Sequence, residues 1–228
     1  MIKEKLRRGT IIYKLYLYYQ LLFRYKLFYK RKNYSQFDED LFLIDFFHNK
    51  KKGKFVDLGA FHPIRYNNTY LLYKKGWSGT NIDLNPVAID MFSIARKNDI
   101  NICALMSEKS DVQKTVYYEH NFSAVNSLVL TKGLKKVLKK EKIMKTKTFD
   151  DLVDHDFDFL NIDLEGHDYE VLKTINLKKF KPNLICIEIL ENSRDKKNIF
   201  EYMTNNNFEF INKCKISYFF KNKKYNQI

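Results

Sequence analysis

One short segment decides the fold class: Phe55–Val56–Asp57–Leu58–Gly59–Ala60–Phe61–His62–Pro63. Residues 55–58 are mostly apolar and predict a short buried strand with Asp57 at its end. Gly59 and Ala60 follow, and their small size lets the backbone of the turn approach a ligand closely. The acid precedes the glycine turn, and the chain has no GxGxxG triplet of the kind that faces a pyrophosphate. The turn therefore suits a cationic ligand.

Strands and helices alternate along the chain around this segment. Further strands are predicted over residues 77–83, 100–105, 115–119, 157–163, 184–190, 208–211 and 216–220. One helix is predicted to begin at residue 35. Further helices are predicted over residues 68–75, 86–98, 133–144, 169–175 and 199–206, and another after an N-cap at Thr148. This alternation indicates an α/β fold with a mostly parallel sheet covered by helices on both faces. Ligands bind such sheets at the carboxyl ends of the strands.

A second acid, Asp83, ends the next predicted strand, one βα unit after Asp57. A carboxylate at that place can accept both ribose hydroxyls of an adenosine. Ala104 and Ser107 follow the third predicted strand, where an adenine ring would lie. Two strand-end acids on consecutive βα units predict a site for S-adenosylmethionine, with Asp57 facing its sulfonium and amino groups.

The densest polar cluster is Asn161–Ile162–Asp163–Leu164–Glu165–Gly166–His167–Asp168, which follows an apolar run. Methyl transfer to a hydroxyl needs in-line approach and removal of the hydroxyl proton. We predict Asp163, Glu165 and His167 as the catalytic group. His167 is the first choice of base, because its ordinary pKa lies nearest neutral pH, and a capping role for it is the alternative. Asp163 and Glu188 lack a third ligand, so no metal site is predicted.

The order of motifs along the chain resembles that of the FkbM family of methyltransferases. The motifs are Ser35–Gln36–Phe37–Asp38–Glu39–Asp40, the segment 55–63, Asn68–Thr69–Tyr70, Gly76–Trp77–Ser78–Gly79, Ile82–Asp83–Leu84–Asn85–Pro86, Thr148–Phe149–Asp150–Asp151–Leu152, the segment 159–167 and Ile187–Glu188. The resemblance implies a Rossmann-like class I methyltransferase fold with a mostly parallel seven-stranded sheet. It also implies S-adenosylmethionine as methyl donor and, usually, O-methylation of sugars or polyketide-type products.

The resemblance also implies roles for the matching residues. Gln36 and Asp40 would close over the cofactor, and Asp163, Glu165 and His167 would face the acceptor. The predicted cofactor-binding residues are Gln36, Asp40, Asp57, Gly59, Ala60, Phe61, Asn68, Asp83, Leu84, Ala104, Ser107 and Asp163. Phe61 stands where the general methyltransferase GxG turn has its last glycine, which leaves the backbone shape of this turn open.

Residues 1–33 lie outside the resemblance and precede the predicted methyltransferase domain, residues 34–228. They carry ten lysines and arginines against one acid, Glu4, and predict a basic, aromatic amphipathic helix. Its apolar residues at helical spacing are Ile12, Leu15, Tyr19, Leu22 and Phe23. Such a helix can contact an anionic membrane or pack across the domain, and packing is favoured. The sequence shows neither a spanning segment nor a cleaved signal peptide, so we expect a cytoplasmic protein, with the inner face of the membrane as a possible contact.

The formal net charge of +14 raises the alternative of a nucleic-acid methyltransferase, with the lysines of residues 132–147 on phosphates. Base-amino methyltransferases of the common type carry an Asn/Asp-Pro-Pro-aromatic motif after the fourth strand. This chain has Asp163–Leu164–Glu165–Gly166 there, so a nucleic-acid partner is not expected. A membrane module without catalysis leaves the strand-end acids unexplained. A nucleotide-sugar transferase needs an acidic metal motif, but Asp154–His155–Asp156 falls before the fourth strand, at the wrong end.

Together these features predict an S-adenosylmethionine-dependent O-methyltransferase with a small-molecule or glycan acceptor. A sugar hydroxyl of a surface polysaccharide, glycolipid or natural-product precursor is the favoured acceptor. Cys103, Cys186 and Cys214 are expected to be buried thiols in a reducing compartment. The sequence carries no prediction of oligomeric state.

Overall fold

A seven-stranded sheet forms the centre of the protein. The computed structural model describes residues 6–118, 126–127 and 140–225. In spatial order, the strands are β10 (Phe208–Cys214), β11 (Ser217–Asn222), β9 (Leu184–Glu188), β8 (Phe159–Ile162), β1 (Lys54–Leu58), β2 (Ser78–Asp83) and β3 (Ile100–Cys103). The neighbouring pairs from β9 to β3 are parallel, and β11 is antiparallel to both β9 and β10. The prediction of a mostly parallel seven-stranded sheet is confirmed.

The direction of strand addition reverses between β1 and β8. The chain adds β2 and β3 on one side of β1, and later adds β8 and β9 on the other side. Asp57 of β1 lies opposite Asn81 of β2 and Asn161 of β8. In open parallel sheets such a reversal leaves a crevice at the carboxyl ends of the strands.

Helices pack against this sheet within the described part of the chain. They are α1 (Ile11–Tyr19), α2 (Glu39–Phe46), α3 (Tyr70–Lys74), α4 (Pro86–Ala95), α5 (Asp168–Leu172), α6 (Leu177–Phe180) and α7 (Lys196–Asn205). Side chains of β1 alternate between two cores. Phe55 packs with Phe47 and Trp77, whereas Val56 and Leu58 belong to the larger core on the other face. The apolar run of β1 is continuous because both faces of the strand are buried.

A second sheet of four strands was not predicted. In spatial order, its strands are β4 (Leu105–Met106), β7 (Lys140–Lys147), β5 (Gln113–Tyr118) and β6 (Asn126–Ser127). The helix predicted over residues 133–144 is wrong for residues 140–144, which belong to β7. Residues 133–139 lie outside the described residues. β7 lies between β4 and β5, and this pairing outweighs the helix propensity of its lysines.

The N-terminal helix α1 packs on the domain by one side. Its buried residues Tyr13 and Leu17 join a cluster with Met91 of α4. Tyr13 Oη and the Arg8 guanidinium both donate to the Asp90 carboxylate of α4, at 2.8 Å and 2.6 Å. Packing against the domain was the favoured expectation, but the helix is shorter than the predicted segment. It continues only as one π-helical turn, Gln20–Arg24.

The predicted apolar stripe of this segment does not form the packed side. Ile12, Leu15, Tyr19 and Phe23 are exposed, because the side chains between them face α4 instead. Among the described residues, no helix is both long enough and apolar enough to cross a bilayer.

Three local expectations also differ from the structure. Helix α2 begins at Glu39 rather than directly after Ser35, because Asp38 before it adopts a left-handed backbone with φ 65°. Thr148 opens a turn instead of a helix, since its N–H and O–H both donate to Asp151 Oδ2, at 2.8 Å and 2.9 Å. Cys103 is exposed and Cys214 is only partly buried, whereas buried thiols were expected at both positions.

Candidate active site

A cavity opens at the carboxyl ends of β1, β2, β8 and β9, where the fold predicts a ligand. Twelve predicted site residues line it: Gln36, Asp57, Gly59, Ala60, Phe61, Asn68, Asp83, Leu84, Ala104, Asp163, Glu165 and His167. They come from six separate stretches of the chain. The topology of the sheet therefore brings together most of the residues that the sequence singled out.

The turn after β1 lies very close to the end of β8. A Cβ atom at Gly59 would lie 1.7 Å from the Asp163 carbonyl oxygen, and the φ of Gly59 is +78°. The Gly59 N–H donates to the Ile82 carbonyl at 2.9 Å, and the Asp163 N–H donates to the Leu58 carbonyl at 3.0 Å. Only glycine fits this position without a shift of the backbone.

Phe61 keeps the backbone shape of a glycine although it has a side chain. Its φ is 52°, in the left-handed region. The Phe61 N–H donates to Asp83 Oδ2 at 2.8 Å, which holds the turn against the end of β2. Phenylalanine therefore replaces the last glycine of the GxG pattern while the backbone at this position remains left-handed.

Asp83 lies at the end of β2 with both carboxylate oxygens already engaged. The Asn85 N–H donates to Oδ1 at 2.7 Å and the Phe61 N–H donates to Oδ2 at 2.8 Å. Each oxygen keeps a second lone pair that can accept a hydroxyl from a ligand. Burial raises the pKa of Asp83 to about 6. Asp83 thus fixes the β1 turn and retains acceptor capacity toward the cavity.

Asp57 is held from several sides and is almost fully buried. Asn161 Nδ2 donates to its Oδ1 at 2.8 Å, and Thr69 Oγ1 and Asn67 Nδ2 approach its Oδ2 at 3.0 Å and 3.3 Å. Burial raises the pKa of Asp57 above its usual range. With this many partners, Asp57 acts mainly as an anchor beneath the cavity.

Arg96 supplies the positive charge below Asp57, and sequence reasoning missed it. Its side chain is fully buried, and Nη1 lies 2.8 Å from Thr69 Oγ1 and 3.7 Å from Asp99 Oδ2. It also donates to Asn67 Oδ1. In a sequence so rich in lysine and arginine, nothing separates this buried arginine from the exposed ones.

Two predicted cofactor residues do not line the cavity. Asp40 is fully buried, and its carboxylate accepts the Tyr34 N–H at 2.6 Å and the Ser35 hydroxyl at 2.7 Å. It shapes the loop that carries Gln36. Ser107 is buried directly after β4 and lies beside Lys114, whose Nζ donates to Ser107 Oγ at 2.8 Å.

Carboxylates crowd the end of the cavity formed by β8 and β9. Burial, followed by the negative charges of Glu188 and Asp168, raises the pKa of Asp163 well above its usual range. Burial and the charges of Asp168 and Glu165 raise the pKa of Glu188 to about 7. The side chains of Asp163 and Glu188 are hydrogen-bonded, and their mutual repulsion when both are charged favours a proton shared between the two carboxyl groups. Glu188 was considered as a metal ligand and is instead the partner of Asp163 in this pair.

His167 lies beside these acids, half-buried at the cavity. Its Nε2 is buried and has no hydrogen-bond partner within the described residues. Burial and the positive charge of Lys114 lower the pKa of His167, so the imidazole is neutral at pH 7. A neutral imidazole with a free ring nitrogen can accept a proton.

The lining of the cavity is acidic although the whole chain is strongly basic. Six carboxyl groups line it: Glu39, Asp57, Asp83, Asp163, Glu165 and Glu188. Among the described residues, no lysine or arginine lines it, while the chain carries a formal net charge of +14. Such a cavity attracts cations and repels phosphates.

Several lining residues were not predicted as site residues. Glu39 accepts the Ser217 hydroxyl at 2.9 Å, which joins α2 to β11 across the cavity. Asn161 accepts from Asn68 Nδ2 at 3.0 Å while it donates to Asp57. Glu39 and Asn161 lie inside motifs of the family resemblance, so those motifs could have identified them as site residues. Within the described ranges, no group of three or more His, Cys, Asp or Glu side chains is arranged to hold a metal ion.

Two solved structures match this chain at low sequence identity. A crystal structure of the methyltransferase FkbM from Methylobacillus flagellatus KT matches with a TM-score of 0.48 and 13% identity, covering 75% of this chain and 44% of that chain. This chain therefore spans less than half the length of that protein. A TehB-like SAM-dependent methyltransferase from Corynebacterium glutamicum ATCC 13032 matches with a TM-score of 0.49 and 13% identity, covering 93% and 98% of the two chains. No curated protein matches the sequence.

The family model described as the methyltransferase FkbM domain matches residues 57–210. That range begins at Asp57, contains Asp83 and the Asp163–His167 cluster, and ends in β10. It covers more than half of the chain and includes most of the residues that line the cavity. The protein belongs to the FkbM family of methyltransferases.

Proposed function

We propose that this protein is an S-adenosylmethionine-dependent O-methyltransferase that methylates a sugar hydroxyl of a surface polysaccharide, glycolipid or natural-product precursor. The observation that carries the proposal is the acidic cavity of a basic methyltransferase. Within the part of the chain that the structure describes, the lining is rich in carboxylates and lacks lysine and arginine, which suits a sulfonium cation and disfavours phosphorylated cofactors.

The residues present fit this cofactor. The Gly59 turn brings backbone to the cavity where a side chain has no room, and Asp83 retains lone pairs for the ribose hydroxyls. Asp163 and Glu188 supply negative charge for the amino and sulfonium groups. When bound, S-adenosylmethionine supplies a methyl group on a positively charged sulfur.

His167 is the proposed base for the transfer. With S-adenosylmethionine bound, the acceptor hydroxyl would give its proton to a ring nitrogen of His167 as its oxygen takes up the methyl group. The lowered pKa of His167 keeps the imidazole able to accept that proton at neutral pH. Asp163 and Glu165 face the same space and hold the acceptor by hydrogen bonds.

A neutral, hydroxyl-rich acceptor suits this environment. Amide and hydroxyl side chains of Gln36, Asn68 and Ser217 line the cavity together with its carboxylates. These groups can donate to and accept from several hydroxyls of one sugar. An acceptor that presents a phosphate at the reacting end would meet the carboxylates with no lysine or arginine among the described lining residues to offset them.

Calorimetric titration with S-adenosylmethionine tests the cofactor. We expect binding by the full chain and a loss of about tenfold to a hundredfold in Asp83→Asn, because the amide keeps less acceptor capacity and no charge. Asp150→Asn, on an exposed turn, is the matched control and should bind as the wild type does. Absence of binding by the folded wild type, or equal affinity in Asp83→Asn, would refute the proposed site.

Mass spectrometry of glycan precursors tests the acceptor. Cells that carry the gene and cells that lack it are compared for lipid-linked and nucleotide-linked glycans. We expect one methyl group to be lost from a sugar hydroxyl in the deletion strain and restored by the wild-type gene. Loss of a methyl group from a nitrogen atom or from RNA instead would contradict O-methylation of a sugar.

A further inference from the structure

The side of α1 that faces away from the domain carries large apolar residues. Six of them are exposed, here called the outer face: Ile11, Ile12, Leu15, Tyr18, Tyr19 and Phe23. Ile11 is 77% exposed and Phe23 is 68% exposed. Within α1 the spacings i, i+4 and i+7 keep these side chains on one side of the helix, and Phe23 is exposed in the π-helical turn that follows. Exposed apolar patches of this kind mark interaction sites.

The outer face is held outward by the packing of the opposite side. Tyr13, Leu17 and Leu21 are buried in a cluster with residues of α4. Arg8 and Tyr13 both bond to Asp90, so the helix cannot roll to bury its outer residues without breaking these contacts. The exposure of the outer face is therefore a fixed property of the fold.

Exposed basic residues lie within the segment that carries the outer face and directly after it in the sequence. Lys14, Arg24, Lys26, Lys30 and Lys32 are all exposed. No acidic residue occurs between residues 6 and 37. Aliphatic and aromatic side chains on one side of a helix, with basic residues nearby, are typical of helices that lie in the headgroup region of a membrane. Each lysine near an anionic leaflet strengthens binding by about fivefold.

We propose that the outer face binds the surface of an anionic lipid bilayer, with its apolar side chains at headgroup depth and the flanking lysines on lipid phosphates. A second copy of the chain is a poorer partner, because it would bring the same basic residues against each other. Nucleic acid would satisfy the lysines and leave Ile11, Ile12 and Leu15 in contact with phosphates. This proposal stands apart from the proposed methyl transfer.

Vesicle sedimentation with the full chain tests it. Phosphatidylcholine vesicles with and without phosphatidylglycerol are compared at low and high salt. We expect the chain to pellet with the anionic vesicles and to be released by salt. The variant L15S/Y19S/F23S removes apolar area, and K14Q/K30Q/K32Q removes charge. Each should lower vesicle affinity about a hundredfold.

Matched controls separate this surface from general stickiness. I143S/L190S removes exposed apolar side chains elsewhere, and K178Q/K223Q/K224Q removes the same charge elsewhere. Both should bind vesicles as the wild type does, and thermal unfolding should be unchanged in all four variants. The proposal is overturned if the wild type stays in the supernatant or if the outer-face variants bind unchanged. It is also overturned if sedimentation velocity shows a dimer that L15S/Y19S/F23S dissolves while vesicle binding is absent.

Discussion

Arg96 is the buried cation beneath the cavity, and Arg96→Met is expected to lower the free energy of unfolding by about 3–5 kcal/mol. The guanidinium is fully buried, donates to the Pro63 carbonyl at 3.0 Å and to Thr69 Oγ1 at 2.8 Å, and lies 3.7 Å from Asp99. Methionine fills part of the volume but removes the donor from these acceptors. It also leaves the buried Asp99 carboxylate, which still accepts from the Gly79 N–H and Asn81 Nδ2, without its cation. In a chain of this length the loss corresponds to a fall in Tm of about 6–20 °C.

Urea unfolding followed by circular dichroism measures this loss. Arg194→Met is the matched control, because Arg194 is exposed, and it should change stability by less than about 0.5 kcal/mol. The double variant Arg96→Met/Asp99→Asn should lose less than the sum of the single variants, since it removes the charge of both partners. A loss below about 1 kcal/mol in Arg96→Met would refute the claim that this cation holds the network together.

Three further outcomes follow from the site. Gly59→Ala should abolish cofactor binding and lower the free energy of unfolding by more than about 2 kcal/mol, because its Cβ would overlap the Asp163 carbonyl. Gly76→Ala is the control for a glycine of positive φ, since no atom of the described residues beyond its chain neighbours would lie within 4 Å of its Cβ. Equal losses in urea unfolding would contradict the overlap. Affinity for S-adenosylmethionine should rise between about pH 6 and pH 7. Asp83 and Glu188, with pKa values of about 6 and 7, become negatively charged in this window and attract the cation. A flat pH profile in calorimetry would argue against a role for these two carboxylates in binding. His167→Ala should keep cofactor affinity while kcat falls by about a hundredfold or more. His48 is exposed, and the control His48→Ala should keep full turnover. An unchanged kcat in His167→Ala would exclude His167 as the base.

The sheet and the convergence of its strand-end acids were predictable from sequence. Continuous apolar runs predict strands that are buried on both faces, and parallel strands place their carboxyl ends at one edge. Asp57, Asp83 and Asp163 therefore had to lie near each other once the βα alternation was established. The cavity at this edge is the physical result of that topology.

Other features depend on contacts that no sequence pattern carries. Residues 140–147 have the helix propensity of lysine but pair with β5. Asp40 and Asp83 each belong to a motif of the family resemblance. Asp40 is enclosed by the Tyr34–Ser35 loop, whereas Asp83 faces the cavity. The apolar stripe of α1 was recognised, but which side of the helix packs depends on the position of Asp90 on α4.

The acidic lining of the cavity also bears on the end of each catalytic cycle. In the proposed reaction the sulfur loses its positive charge when the methyl group leaves, while the surrounding carboxylates are still negatively charged at that moment. The attraction of Asp163 and Glu188 for the spent cofactor is therefore weaker than their attraction for the fresh one. Because like charges crowd this end of the cavity, its carboxylates take up protons again as the cation is lost. Turnover at neutral pH would thus be accompanied by a change in proton content at the cavity, which favours exchange of product for substrate.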